Sequence, residues 1–198
     1  MKIIGITGTS GSGKGYVSDI LRGLGYKVFD ADKICHEIYE NNDECISEIN
    51  DIFHDVITDG KVDRSKLSKI VFNDKEKLNK LNCVAHKYVL YSLDSLLKES
   101  AENGEKTVFI DAPQMYESGL DKKCSYIVSV IAPIDIKIKR ITERDKISEE
   151  AAKKRLSNQY DDAFFISKSD FIINNDGKED VYYQVIKILS SIQEGNNE

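Results

Sequence analysis

A chain of 198 residues and 22.4 kDa has room for one sizeable hydrophobic core, so it reads as a single domain that can carry an insertion. Hydrophobic residues make up 40% and charged residues 31%, with only 2 Pro and 12 Gly, which excludes collagen-like, proline-rich and low-complexity chains. The net charge of -6 argues against broad, sequence-independent nucleic-acid binding, which needs a basic face.

Taken in chain order, the first element is a strand at 2–6 (KIIGI), continuous in apolar residues rather than alternating, as expected of a strand buried on both faces of a parallel sheet. Met1 leads straight into it with no signal-peptide anatomy, and no apolar run approaches the ~18 residues of a membrane helix. The chain is therefore expected in the cytoplasm, with no membrane partner. Directly after the strand comes Gly8-Thr9-Ser10-Gly11-Ser12-Gly13-Lys14-Gly15. A helical pattern follows from Lys14 to Gly23, with Val17, Ile20 and Leu21 as its apolar face. The loop fits G-x-x-x-x-G-K in the strand, loop, helix setting that the pattern requires. Glycines let successive backbone N–H groups converge on phosphate oxygens, the helix N-terminus adds its positive dipole end, and Lys14 can reach the outer phosphates. The alternative is a glycine-rich turn that only joins strand to helix. One residue departs from the pattern: Gly15 occupies the position of a Ser or Thr whose hydroxyl ligates Mg²⁺, and Tyr16 is too large to take that place. Phosphate binding survives this change more easily than metal-dependent catalysis does.

A second strand at 26–29 is followed by Asp30 and Asp32, on the side of a parallel sheet where ligands bind. Either carboxylate could take a proton from a substrate hydroxyl that attacks a γ-phosphate, or could cap the helix that begins near Lys33. From 34 to 103 the spacing is helical, with a turn at Asp59-Gly60 and Ser65 as a candidate cap for the next helix. A third strand, 107–111, ends in Asp111, the place of a carboxylate that holds Mg²⁺ directly or through water, or of a turn cap. A fourth strand at 126–131 leads into a polar helical stretch from Asp135 to about Asn158. Of the five arginines, Arg140, Arg144 and Arg155 fall here, and Lys137 to Arg155 holds eight basic against four acidic residues. Arg140 and Arg144 share a helix face and could clamp a transferring phosphoryl group, or belong to a solvated basic helix. A fifth strand at 170–173, a helix over 179–192 and a frayed tail at 194–198 complete the chain. Cys35, Cys45, Cys83 and Cys124 form no C-x-x-C pair, and His36, His54 and His86 show no metal-ligand spacing, so free thiols are expected and neither a zinc site nor a dithiol motif is signalled.

In their order and spacing these stretches resemble the dephospho-CoA kinases, a family of P-loop nucleoside and nucleotide kinases. The resemblance runs from Ile6-Thr7-Gly8 and the loop through Asp30-Ala31-Asp32 and His36. It continues through Gly60-Lys61-Val62-Asp63-Arg64 with Leu67 and Val71-Phe72, and Leu81-Asn82 with His86. Asp111-Ala112-Pro113 with Glu117-Ser118-Gly119-Leu120 is similar to the family's D-x-P-L-L-F-E-S-G-L segment. Arg140, Arg144, Ser148-Glu149-Glu150-Ala151, Arg155 and Gln159 resemble its lid, and Asp170 to Asn175 with Gly177 its closing strand. The resemblance implies a three-layer αβα P-loop fold with a five-stranded parallel sheet. Its nucleotide-binding core would span 1–33, 104–139 and 161–198, with a helical CoA-side insertion at 34–103 and a lid at 140–160. The implied reaction is ATP-dependent phosphorylation of the ribose 3′-hydroxyl of dephospho-CoA, the last step of coenzyme A synthesis, with ATP and Mg²⁺ as cofactors and no obligate protein partner. Asp32 would be the base, with Lys14, Arg140 and Arg144 also catalytic. Gly8, Gly11, Ser12, Gly13, Lys14, Gly15, Tyr16 and Asn175 would hold the nucleotide. Asp32, His36, Arg64, His86 and Asp111 would meet the acceptor, and Asp111 the metal. Besides Gly15, the chain departs from the family where Gln114-Met115-Tyr116 replaces an apolar Leu-Leu-Phe and where Lys87 replaces a proline after the histidine. These departures keep open a kinase with another nucleoside or nucleotide acceptor, and a nucleotide-binding protein with little catalysis.

Overall fold

The computed structural model describes residues 1–72 and 74–194, so the last four residues of the tail, and of the core segment expected to end at 198, lie outside the described residues. By its internal contacts the chain divides into two units, one formed by residues 1–28 together with those from 106 onward, the other by Phe29–Glu105.

The first unit is built on β1 (Lys2–Thr7), whose partners are β5 (Thr107–Asp111) on one side and β6 (Tyr126–Ile131) on the other. Both pairings are parallel, and β6 in turn runs parallel to β7 (Phe171–Asn174). With β2 (Lys27–Asp30) at the far edge, the sheet has five strands in the order β2-β5-β1-β6-β7. This is the α/β, parallel-sheet fold expected of the apolar runs. Ile4 and Ile6, fully buried, point to the face covered by α1 (Lys14–Gly23) and α9 (Val181–Glu194). There they pack with Val17 and Leu21 of α1, Val185 and Leu189 of α9, and Phe109, Val128 and Ile173 of the neighbouring strands. Each such aliphatic side chain, fully buried, contributes about 1.5–3 kcal/mol. The intervening residue, Gly5, faces the opposite layer, where a Cβ would sit 2.8 Å from Met115 and 2.7 Å from Ile127. Continuous apolar strands are therefore what two covered faces demand.

That second layer accounts for one departure from the family pattern. Met115 is fully buried against the sheet. Tyr116 packs edge-on to Phe164, ring centroids 5.2 Å apart, and its hydroxyl bonds Ser169, which also bonds Ser129 at 2.5 Å. The tyrosine keeps the aromatic body and supplies its polar tip with a partner.

The polar stretch from 135 to 158 is not one helix. It divides into α6 (Ile134–Asp145) and α7 (Glu149–Ser157), because Lys146 takes the left-handed conformation at φ 55 and ψ 40 and ends α6, while the Ser148 side chain accepts from Ala151 N–H to start α7. A short helix, α8 (Asp162–Lys168), follows.

The second unit contains α2 (Ala31–Asn41), α3 (Asp43–Phe53), a two-residue hairpin of β3 (Ile57–Thr58) and β4 (Lys61–Val62), α4 (Arg64–Val71) and α5 (Lys75–Glu102). The hairpin turns at Asp59 and Gly60, both with positive φ, as its two-residue loop requires. Among the described residues it is the one strand pairing in a stretch read from sequence as helical. The cap of α4 is Asp63, which accepts from the N–H groups of Ser65 and Lys66 at 3.0 Å, so Ser65 lies inside the helix and does not cap it. Helix α5, 28 residues long and about 42 Å from end to end, packs against α2, α3 and α4. It runs without a break through Lys87, whose ammonium pairs with Glu48 of α3. Tyr88 donates to the same carboxylate at 2.9 Å. The departure from proline thus keeps α5 continuous and fastens it to α3.

Candidate active site

The glycine loop sits where the sequence places it, between the end of β1 and the start of α1. Gly11 and Gly13 are needed there for two reasons at once. Their φ values are 77 and 104, and a Cβ on Gly11 would lie 2.6 Å from the Lys137 carbonyl, one on Gly13 2.0 Å from the Asn175 amide nitrogen. No other residue meets both the dihedral and the space.

The loop is polar, and part of it is unpartnered. Thr9 Oγ1 and Ser12 Oγ are buried with no hydrogen-bond partner. Buried hydroxyls in that condition cost free energy unless a ligand or water completes them. The following helix points the same way. Helices α2, α3, α4, α5, α7 and α8 begin with an Asp, Asn or Ser side chain on a backbone N–H; α6 starts after Pro133 without one but has Asp135 in its first turn, whereas α1 starts after Gly13 with neither a side-chain cap nor an acidic residue in its first turn. An uncapped N-terminus directed by a glycine loop suits an anion. Lys14 donates to the Gly8 carbonyl at 3.0 Å, which keeps its ammonium at the loop. Gly15 and Tyr16 are exposed on the first turn of α1.

Two side chains from distant parts of the chain close around the loop. Arg140, half-buried on α6, donates to the carbonyls of Gly11 and Ser12, both at 3.2 Å, and to the backbone and side-chain oxygens of Asn175 at 3.3 and 3.1 Å. Asn175, just past β7, donates in turn to Ser12 O at 2.8 Å. Arg144 does not join Arg140 at the loop. It makes a two-pronged pair with Asp145 at 2.7 and 2.9 Å, and Asp145 also takes Arg155. These guanidinium groups hold the Asp145 carboxyl well below the usual carboxylate range, the bond from Arg144 being the larger cause. Gln159 accepts from the N–H of Ser10 at 2.9 Å, which ties the segment after α7 to the loop. Lys137, inside the basic stretch, is buried and pairs with both oxygens of Asp162 at 2.9 and 3.0 Å. Its charge is structural, joining α6 to α8.

Asp111 ends β5 and is 8% exposed. Its Oδ2 accepts from Ser18 of α1 at 2.7 Å, a partner that sequence reasoning did not select. Among the described residues no group of three or more His, Cys, Asp or Glu is arranged to hold a metal ion. A cation at Asp111 would therefore take most of its ligands from phosphate oxygens and water, as Mg²⁺ commonly does.

In the second unit, Asp30 Oδ1 accepts from Lys33 N–H at 3.0 Å and is the cap of α2. Asp32 and His36 are exposed one turn apart on that helix, Arg64 is exposed at the start of α4, and His86 is half-buried on α5. Burial raises the Cys35 thiol, the Asp32 charge adds to that rise, and the Tyr39 bond and Arg64 oppose it. Asp32, Arg64, Cys35 and Tyr39 thus lie within electrostatic reach of one another.

Residues 2–180 match the family model described as dephospho-CoA kinase. The dephospho-CoA kinases of Fusobacterium nucleatum and Geobacillus kaustophilus are 40% and 35% identical over 193 and 189 residues, which is 96% and 94% of this chain and 98% and 94% of theirs. Among solved structures, dephospho-CoA kinase from Campylobacter jejuni matches with a TM-score of 0.73 at 31% identity, over 99% of this chain and 100% of that one. TT1252 from Thermus thermophilus matches with a TM-score of 0.82 at 29% identity, over 96% of each. A shikimate kinase from Acinetobacter baumannii, 16% identical with a TM-score of 0.56 over 100% of this chain and 96% of that one, shares the fold.

Proposed function

The chain belongs to the dephospho-CoA kinase family, and from that membership we propose that it transfers the γ-phosphoryl group of ATP to the ribose 3′-hydroxyl of dephospho-CoA, the last step of coenzyme A biosynthesis. The observation that carries the phosphate half of this reading is the pair of buried, unpartnered hydroxyls of Thr9 and Ser12, in a glycine loop before an uncapped helix. ATP would lie on Gly8, Gly11, Ser12, Gly13, Lys14, Gly15 and Tyr16, with Asn175 beside the loop. ATP would supply the phosphoryl group, and Asp111 would help to hold a Mg²⁺ ion, whose chemistry when bound would be to neutralise phosphate charge.

The chain's own residues do the rest. Asp32 is the proposed base, since capping of α2 falls to Asp30. Its carboxylate takes the proton of the attacking hydroxyl, work that contributes about 10²- to 10⁴-fold to such transfers. His36, Arg64, His86 and Asp111 are proposed for the acceptor. Lys14, Arg140 and Arg144 counter the charge that develops on the transferring group. For Arg144 this requires exchange of its Asp145 partner during closure of the 140–160 lid. Both substrates are small molecules, and no protein partner enters the reaction.

Coupled ADP release with dephospho-CoA, against a panel of nucleosides, nucleotides and small alcohols, tests the assignment. The expected result is turnover dependent on dephospho-CoA and on Mg²⁺. Turnover with another acceptor alone replaces the substrate, and ATP binding without turnover on any acceptor replaces the enzyme with a nucleotide-binding protein.

A further inference from the structure

The hydroxyl missing after Lys14 is not displaced by crowding. Gly15 lies outside the positive-φ region and a Cβ on it would meet nothing within 4 Å. One turn further along α1 Ser18 is fully buried, and its hydroxyl donates to Asp111 Oδ2 at 2.7 Å. Positions 15 and 18 share a helix face. A helical serine has another outlet, the carbonyl four residues earlier, and Ser100, fully buried like Ser18, uses it at 2.8 Å. Ser18 turns to the carboxylate instead.

We infer that Ser18 is a positioning residue for the metal-side carboxylate: by holding Asp111 in one orientation it firms the hold on a metal's water shell that is left to Asp111 where Gly15 supplies no ligating hydroxyl. The inference rests on the reading of the loop as an ATP and Mg²⁺ site. An ionised carboxylate accepts at about four lone-pair positions, so a bond from Ser18 fixes the group and leaves it capacity for the water shell of a cation. Such a bond to a charged acceptor is about twice as strong as a neutral one. Ser18 acts through Asp111. Outer partners of this kind carry about 10- to 100-fold in metal affinity. A serine that only filled space would show no preference for metal-bound nucleotide.

The test is calorimetric binding of ATP to the full chain, with Mg²⁺ and with EDTA, and no acceptor present, so the outcome is independent of the acceptor assignment. The quantity read is the ratio of the two affinities. Ser18→Ala lowers the ratio about tenfold and leaves metal-free ATP affinity unchanged. Asp111→Asn lowers it at least as far, and adding Ser18→Ala to Asp111→Asn costs no more, because the two act as one unit. Gly15→Ser restores part of the ratio lost in Ser18→Ala. Should the alanine variant not fold, Ser18→Cys, similar in shape with a weak donor, replaces it in the same comparison. An unchanged ratio, an equal loss with and without Mg²⁺, or additive losses in the double variant overturn the inference. A wild-type chain that binds ATP under neither condition overturns the nucleotide-site reading and the inference with it.

Discussion

Asp30 and Asp32 stand two positions apart, and the sequence assigns both to the ligand side of the sheet without dividing their work. The structure divides it at one hydrogen bond, Lys33 N–H to Asp30 Oδ1 at 3.0 Å. Asparagine caps helices about as well as aspartate, so Asp30→Asn is expected to keep both thermal stability and kcat near wild type. Asp32→Asn is expected to lower kcat by about 10²- to 10⁴-fold with ATP affinity intact. Steady-state kinetics on the two variants decide it, and the reverse pattern would move the base to Asp30. Much of this site was legible in the sequence because a glycine loop before a lysine has few other uses, and because Asp111 ends an unmistakable apolar strand. Ser18 was not legible. It lies between Val17 and Leu21 on a buried face, where a serine reads as a small filler, and the one signal was its spacing of three from Gly15. Asp63 was missed as a cap for a related reason: Ser65 is as good a capping residue by type, and only the backbone geometry tells which of the two stands outside the helix.

At the scale of elements, the strands of the five-stranded sheet were legible because each contains adjacent apolar, strand-favouring residues, and the short hairpin of β3 and β4 was not, because two-residue strands carry no periodicity. The joint between α6 and α7 was hidden for a different reason. Lys146 takes a left-handed conformation normally signalled by Gly or Asn, so nothing in the composition marked the break. Around that joint Asp145 gathers Arg144 and Arg155. Its folded-state pKa lies below that of the unfolded chain. The stability it contributes is therefore fully present above the unfolded carboxylate value, about 3.9, and is lost only as pH falls through the depressed folded value. The joint should hold its ion pairs throughout the neutral and mildly acidic range. A carboxyl-carbon NMR titration is expected to show Asp145 still ionised at pH values where ordinary aspartates have protonated, and Arg144→Gln should move its midpoint toward the ordinary value. A wild-type midpoint near that of exposed aspartates would remove the joint's electrostatic account.

For the whole molecule, the charge balance conceals a division of labour. The chain is acidic overall, yet the stretch from Lys137 to Arg155 carries eight basic residues, of which Lys137 holds α8, Arg140 holds the loop, and Arg144 and Arg155 share Asp145. Each of these four charges has a named partner, which a solvated basic helix would not require. No helix among the described residues is long and apolar enough to cross a membrane. The family assignment and the loop geometry support phosphoryl transfer from ATP, and the position of the new phosphate tests the proposed acceptor atom most directly. The measurement is ³¹P NMR and mass analysis of the product formed from ATP, Mg²⁺ and dephospho-CoA, with a 3′-deoxyribose analogue of the acceptor in parallel. The account predicts one added phosphoryl group on the ribose 3′-oxygen and no transfer to the analogue. A phosphate on any other atom, or equal transfer to the 3′-deoxy analogue, would contradict it.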